Sequence, residues 1–168
     1  MVMRNPQDAL KKAPRLFIII LWTGFLVGSL DGLGATINYL VSGNKDAAKL
    51  FQFIASGAFG KAAYSGGAAM VFMGVMFHYI VAYLFTVFFF LIAGKIKLLS
   101  RKKLLSGILY GIFIWLIMNL LILPLTRIPP RMLHFKPVVI GIAILIIAIG
   151  IPLSYIANTY YKKHVVIE

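Results

Sequence analysis

The chain has 168 residues, 61% of them hydrophobic, whereas soluble domains are about 45–50% apolar, so this composition excludes a soluble globular fold and requires a covering of lipid. The absence of cysteine excludes disulfides and thiolate metal sites. Seventeen Lys and Arg against four Asp and Glu give a net charge of +13, but the bases lie at the ends of apolar runs, where they meet anionic lipid headgroups. We therefore expect the lipid bilayer as a partner and no nucleic acid.

The first apolar run, residues 16–41, follows a basic leader, residues 1–15, that we expect to lie on the membrane surface. A signal peptide has a shorter apolar region, of about 7–15 residues, followed by a small-residue cleavage site. The run is long enough to cross a bilayer, which takes about 20 residues. We therefore interpret residues 16–41 as a retained first span.

One acidic residue, Asp31, lies inside this first span. A carboxylate at such a depth is costly in lipid, so it should face a neighbouring helix. Gly24, Gly28 and Gly32 are spaced four residues apart and share one helical face beside it. Small residues at this spacing let a second helix approach closely, and they predict a helix-packing groove.

A mixed segment with three lysines follows, and we expect a short helix in the membrane interface over residues 46–64. A re-entrant gate is the alternative for this segment. Three further spans are predicted over residues 67–93, 104–125 and 138–158. The adjacent prolines 129 and 130 end the helix between the last two spans.

Four spans joined by short links predict an all-α fold, an integral membrane four-helix bundle with an interfacial helix between spans one and two. Eleven Lys and Arg residues fall on the side of the termini and six on the other side. The positive-inside rule then places both termini in the cytoplasm.

Asp31, His78 and Asn119 fall at a similar depth when the rise of about 1.5 Å per residue is counted from the membrane faces. Asn38 follows Asp31 on the same helical face, nearer the outer surface. One interpretation is a proton- or cation-responsive polar centre, since a histidine and a carboxylate exchange protons near neutral pH. The other is a set of interhelical hydrogen bonds that only stabilise the bundle.

Further glycines, Gly74 in the second span and Gly107 and Gly111 in the third, extend the packing prediction. We expect close packing along all four helices, with little room for a wide pore. Pro152 is expected to kink the fourth span and free a carbonyl group.

Catalytic and cofactor signatures are missing from the sequence. A bis-histidine haem needs two histidines in the membrane, but His134 and His164 lie outside the predicted spans. The chain carries no phosphate loop, no HExxH zinc motif and no serine–histidine–acid set. We therefore expect no enzyme activity, no cofactor and no metal.

Three stretches, residues 51–85, 107–130 and 150–157, resemble the YagU-like family of small bacterial inner-membrane proteins. The shared features are a helix-borne histidine followed by aromatic residues, a glycine-rich third helix that ends in a proline, and a Gly-x-Pro motif in the fourth helix. The resemblance implies a multi-pass protein of a bacterial inner membrane and implies no reaction. It also implies a further histidine ahead of Gly-x-Pro, where this chain has aliphatic residues around Leu145, so a two-histidine site is not expected.

The leading functional hypothesis is a homo-oligomer or an accessory subunit of a membrane complex, because the helices carry glycine faces and no catalytic set. The alternative is a small transporter or channel for protons, cations or a solute that uses Asp31 and His78. An intramembrane enzyme that acts on lipid is a third and weaker hypothesis.

Overall fold

The computed structural model describes residues 6–96, 102–129 and 134–164, and these ranges contain five helices and no strand. The all-α prediction is confirmed. In chain order the helices are α1 (Pro6–Val41), α2 (Ala48–Phe59), α3 (Gly67–Ala93), α4 (Lys103–Leu125) and α5 (Phe135–His164). A short 3₁₀ turn, Gly60–Tyr64, joins α2 to α3.

Four of the helices are long and apolar enough to cross a membrane, and they make this chain a small multi-pass membrane protein. Their candidate spans are Arg15–Val41, Gly67–Ala93, Lys103–Leu125 and Phe135–Lys162. The helix of the first span continues back to Pro6, through the segment expected to be a separate leader. Proline is tolerated in the first turn of a helix, and Pro6 and Pro137 lie in the first turns of α1 and α5. Helix α5 begins three residues earlier than predicted.

Both α4 and α5 change their helical geometry before or around a proline. In α4 the α-helix gives way to a π-helical segment, Ile117–Ile122, and a 3₁₀ turn, Leu123–Leu125, that contains Pro124. In α5 a π-helical segment, Ile146–Gly150, precedes Pro152. Proline removes the N–H that would bond to the carbonyl four residues earlier, and local π or 3₁₀ adjustment gives the freed groups new partners.

Helix α1 packs on both α3 and α5, and α3 also contacts the C-terminal part of α5. Helix α4 packs on α5, and α2 packs on α3. Over their described ranges α3 and α4 have few close backbone contacts, and aromatic side chains bridge them. The central cluster of buried side chains draws residues from all four long helices, among them Val27, Phe89, Ile114 and Leu153.

Glycines allow the closest of these helix contacts. A Cβ atom at Gly107 would lie 2.8 Å from the Cα of Ile151, and one at Gly111 would lie 2.7 Å from the Cα of Ile146. A Cβ atom at Gly74 would overlap with the carbonyl group of Phe51 in α2. These three glycines therefore set the α4–α5 and α2–α3 separations, since any side chain would push the backbones apart.

Candidate functional site

The glycine face of α1 receives ring side chains from α3. A Cβ atom at Gly28 would lie 3.1 Å from the ring of Tyr79, and one at Gly32 would lie 3.2 Å from Nε2 of His78. At Gly24 it would overlap with the ring of Tyr83. The groove is therefore filled from within the same chain.

Hydrogen bonds fix the α3 rings against α1. The Tyr83 hydroxyl donates to the carbonyl oxygen of Leu21 at 3.0 Å, and the hydroxyls of Tyr79 and Ser29 are 2.8 Å apart. His78 donates from Nε2 to the carbonyl oxygen of Gly28 at 2.8 Å. Because a carbonyl only accepts, this bond places a proton on Nε2 and leaves Nδ1 to accept a bond or to take a second proton.

We call this contact between α1 and α3 the seam. A cavity of about 500 Å³ lies beside the seam and is lined by residues from all five helices. Its walls are mainly apolar, with α3 and α4 contributing the largest share. Its polar side chains are Asp31, His78, Asn119 and Thr126. The structure thus brings three of the four residues of the expected polar centre to one cavity, whereas Asn38 is not among the residues that line it. The close packing expected along all four helices is interrupted here.

Asp31 is the only acidic residue that lines the cavity, and no Lys or Arg of the described chain lines it. Its carboxylate interacts electrostatically with His78. Within residues 6–96, 102–129 and 134–164 no group donates a hydrogen bond to it. A carboxylate in an apolar cavity without a donor favours a cation or a proton as its partner.

The amide of Asn119 turns one end back onto its own helix, because Nδ2 donates to the carbonyl oxygen of Trp115 at 2.9 Å. Thr126 is held in a similar way: its hydroxyl donates to the Leu123 carbonyl at 2.7 Å and accepts from the Ile128 N–H at 3.2 Å. The amide oxygen of Asn119 accepts no bond from the described residues and is a ready acceptor for a ligand.

Helix α2 closes one end of the cavity, with Phe53, Ile54, Gly57 and Ala58 among the lining residues. The segment after α4 is tied to it, since the N–H of Arg127 donates to the carbonyl oxygen of Gly57 at 3.0 Å. The sequence predicted this helix but not its role as a cover. The available signal was the row of small residues after Ile54, which indicated close packing on the bundle.

The seam residues Tyr79, Tyr83 and Ser29 were also not singled out from the sequence. The signal that would have found them is complementary spacing. Gly24 and Gly28 lie four residues apart on α1, and the rings that meet them, Tyr83 and Tyr79, lie four residues apart on α3. In antiparallel helices such rows face each other, one supplying space and the other filling it.

Metal coordination has no support in the described residues, where no group of three His, Asp or Glu side chains lies close enough to hold an ion. The cavity does offer one anionic group, the Asp31 carboxylate, and two hydrogen-bond acceptors, Nδ1 of His78 and the amide oxygen of Asn119. Its apolar volume has a size typical for small-molecule ligands. Comparison of the chain with protein-family models, with curated proteins and with solved structures finds no match.

Proposed function

We propose that this protein binds a small lipophilic cation, of the alkylammonium type, in the cavity between its helices and exchanges it for a proton. The observation that carries the proposal is the Asp31 carboxylate, which has no described hydrogen-bond donor and lines an otherwise mainly apolar space of about 500 Å³. The apolar part of such a ligand fills the cavity while its charge pairs with the carboxylate.

Each polar residue of the cavity has a role in this proposal. Asp31 holds either the cation or a proton, because a protonated carboxyl group is neutral and no longer pairs with a cation. His78, fixed through Nε2 to Gly28, offers Nδ1 to an N–H of the ligand, and Asn119 offers its amide oxygen. Arrival of a proton at Asp31 neutralises the carboxylate and weakens its hold on the cation, so release of the cation is coupled to binding of the proton.

Titration calorimetry of the detergent-solubilised protein with butylammonium tests the site. A charge-assisted contact in an apolar site contributes about 1.5–3 kcal/mol, so Asp31→Asn should lower the affinity by about tenfold to a hundredfold. The matched control is Asp46→Asn, since Asp46 lies in the exposed segment before α2 and its carboxylate accepts from the Ala48 N–H at 2.9 Å. Unchanged affinity in Asp31→Asn contradicts the proposal.

Proton coupling is tested by the same titration across pH and by flux into proteoliposomes. Protons compete for Asp31, so the affinity of the wild type should fall as the pH is lowered. The residual affinity of Asp31→Asn should depend less on pH. A pH gradient should drive uptake of the cation in wild-type vesicles and not in Asp31→Asn vesicles. Binding without flux would retain the site and remove the transport step.

A homo-oligomer or an accessory subunit of a membrane complex is the second candidate. Its main support in the sequence was the glycine faces, but these glycines contact α2, α3 and α5 of the same chain. Its remaining support is the lack of a recognisable catalytic set. Native mass spectrometry in mild detergent tests it, and a clean monomer with no co-purifying protein would count against it.

The location we propose is a bacterial inner membrane with both termini in the cytoplasm, in keeping with the resemblance to the YagU-like family. The support is the excess of Lys and Arg on the side of the termini, eleven against six. Because the chain has no cysteine, single variants report topology cleanly. An impermeant maleimide applied to whole cells should label Lys45→Cys and leave Lys162→Cys unlabelled, and the reverse result would invert the topology.

A further inference from the structure

A second apolar space, a cleft of about 440 Å³, lies between α3 and α4 and is lined by residues of these two helices alone. Two of its lining residues on α3, Leu84 and Leu91, are 64% and 63% exposed, so its rim is on the outer surface of the bundle. In a membrane this surface faces the acyl chains. The cleft is thus a groove in the side of the bundle rather than at either end.

The cleft exists because α3 and α4 are held apart by rings. Phe88 and Phe113 stack with centroids 5.7 Å apart, and Phe89 meets Tyr110 edge to face at 4.6 Å. The Tyr110 hydroxyl donates to the carbonyl oxygen of Phe85. These contacts lie toward the end where α3 stops and α4 starts, and the stacked rings of Phe88 and Phe113 also line the cleft.

The cleft and the cavity share three lining residues, Val81, Phe85 and Ile122, which form the boundary between them. Ile122 belongs to the π-helical segment of α4, and that segment also supplies Asn119 to the cavity and Ile117 to the cleft. Single π turns within helices are frequent at functional sites. One irregular segment therefore borders both the polar centre and the cleft.

We propose that the cleft is a lateral portal, through which the alkyl tail of a single-chain cationic amphiphile extends from the cavity into the bilayer. The ammonium group lies at Asp31 and the tail passes between Val81, Phe85 and Ile122. The inference rests on the proposed cation site and adds the ligand class and the route. A closed cavity rejects a tail longer than itself, whereas a portal accepts one because the excess length lies among lipid chains.

Titration with a series of alkylammonium ions, from butyl to dodecyl, tests the portal. The free ligand concentrations are corrected for partition into micelles, and Asp31→Asn serves as the blank. Wild-type affinities should be similar across the series. Leu84→Trp narrows the cleft from its exposed rim and should weaken dodecylammonium by about tenfold, with butylammonium unchanged. The matched control is Leu33→Trp, because Leu33 is 61% exposed on α1 and lines neither space.

The outcomes separate this inference from the function on which it rests. Retained butylammonium binding in Leu84→Trp shows that the variant is folded, so its loss of dodecylammonium alone supports the portal. Rejection of long tails by the wild type, or equal behaviour of Leu84→Trp and Leu33→Trp, would overturn the portal and leave the cation site standing. Absence of Asp31-dependent binding for every chain length would overturn both.

Discussion

At the end of the bundle where α3 stops and α4 starts, Phe89 and Phe90 are 0% and 2% exposed, and rings fill the space between the helices. Toward α2 the same interhelical space holds a cavity of about 500 Å³. We refer to these regions as the packed end and the cavity end. At the packed end the hydroxyls of Tyr110 and Tyr161 donate to the carbonyl oxygens of Phe85 and Phe90, whereas at the cavity end Asp31 has no described donor.

This contrast concerns how polar groups within the bundle are partnered. A polar group in a dry helix contact is stable only with a partner, and the tyrosines of the packed end have theirs within the chain. A charged group that a protein keeps beside an apolar cavity without such a partner has a cost that packing does not offset. The tyrosine hydroxyls of the packed end therefore stabilise the bundle, and Asp31 is the group to which the proposed function assigns a cation or a proton.

The largest expected effect is on the backbone contact of α4 with α5. Gly111→Ala places a Cβ 2.7 Å from the Cα of Ile146, and we expect it to lower the free energy of unfolding by about 2 kcal/mol. Gly57→Ala at the cavity end meets Thr126 at an ordinary 3.5 Å, and it should change that free energy by less than about 1 kcal/mol. Unfolding in mixed micelles with a rising fraction of dodecyl sulfate measures both free energies. Equal losses of stability in Gly111→Ala and Gly57→Ala would contradict the contrast between tight helix packing and the cavity end.

A smaller effect is expected from the paired hydroxyls of the packed end. Tyr110→Phe removes the donor to the Phe85 carbonyl and should cost about 1 kcal/mol, because that carbonyl is left unpaired in a buried site. The control is Tyr83→Phe, whose bond to the Leu21 carbonyl is solvent- or lipid-exposed and should cost less than about 0.5 kcal/mol. The same unfolding assay compares the losses of stability in the two variants. A larger loss in Tyr83→Phe than in Tyr110→Phe would argue against a dry packed end.

The smallest effect on stability is expected at Asp31. Asp31→Asn loses no described hydrogen bond and only the electrostatic interaction with His78, and it removes an ionisable group from an apolar cavity. The free energy of unfolding should therefore be unchanged or raised by less than about 1 kcal/mol. Asp46→Asn gives the reference for a change of charge at an exposed site. A loss of stability in Asp31→Asn would identify Asp31 as a structural member of the bundle.

Hydropathy and length were sufficient to predict four helices, since a bilayer-crossing segment is defined by its own composition. Depth along the membrane normal was predicted from the sequence as well, because each helical residue rises by about 1.5 Å. Counting residues from the ends of the spans placed Asp31, His78 and Asn119 at a similar depth, and all three line the cavity. Depth is only one coordinate, however, and Asn38, on the same helical face as Asp31, does not line it.

The rotation of each helix, the place of α2 and the gap between α3 and α4 were decided by tertiary packing. Glycine spacing predicted that helices approach closely at Gly24, Gly28 and Gly32, but it did not say whether the partner belongs to this chain or to a second copy. The groove is filled by rings of α3: Tyr83 and Tyr79 match the spacing of Gly24 and Gly28, and His78 meets Gly32.

The sequence by itself determined that the chain must be covered by lipid, that it has four long apolar helices, and that one carboxylate lies within them. These properties belong to single segments and need no knowledge of their neighbours. Only the tertiary structure decided that this carboxylate borders a cavity with an open cleft beside it. Cavities arise from mismatch between helix surfaces, here between rings that hold α3 and α4 apart and glycines that draw α4 onto α5.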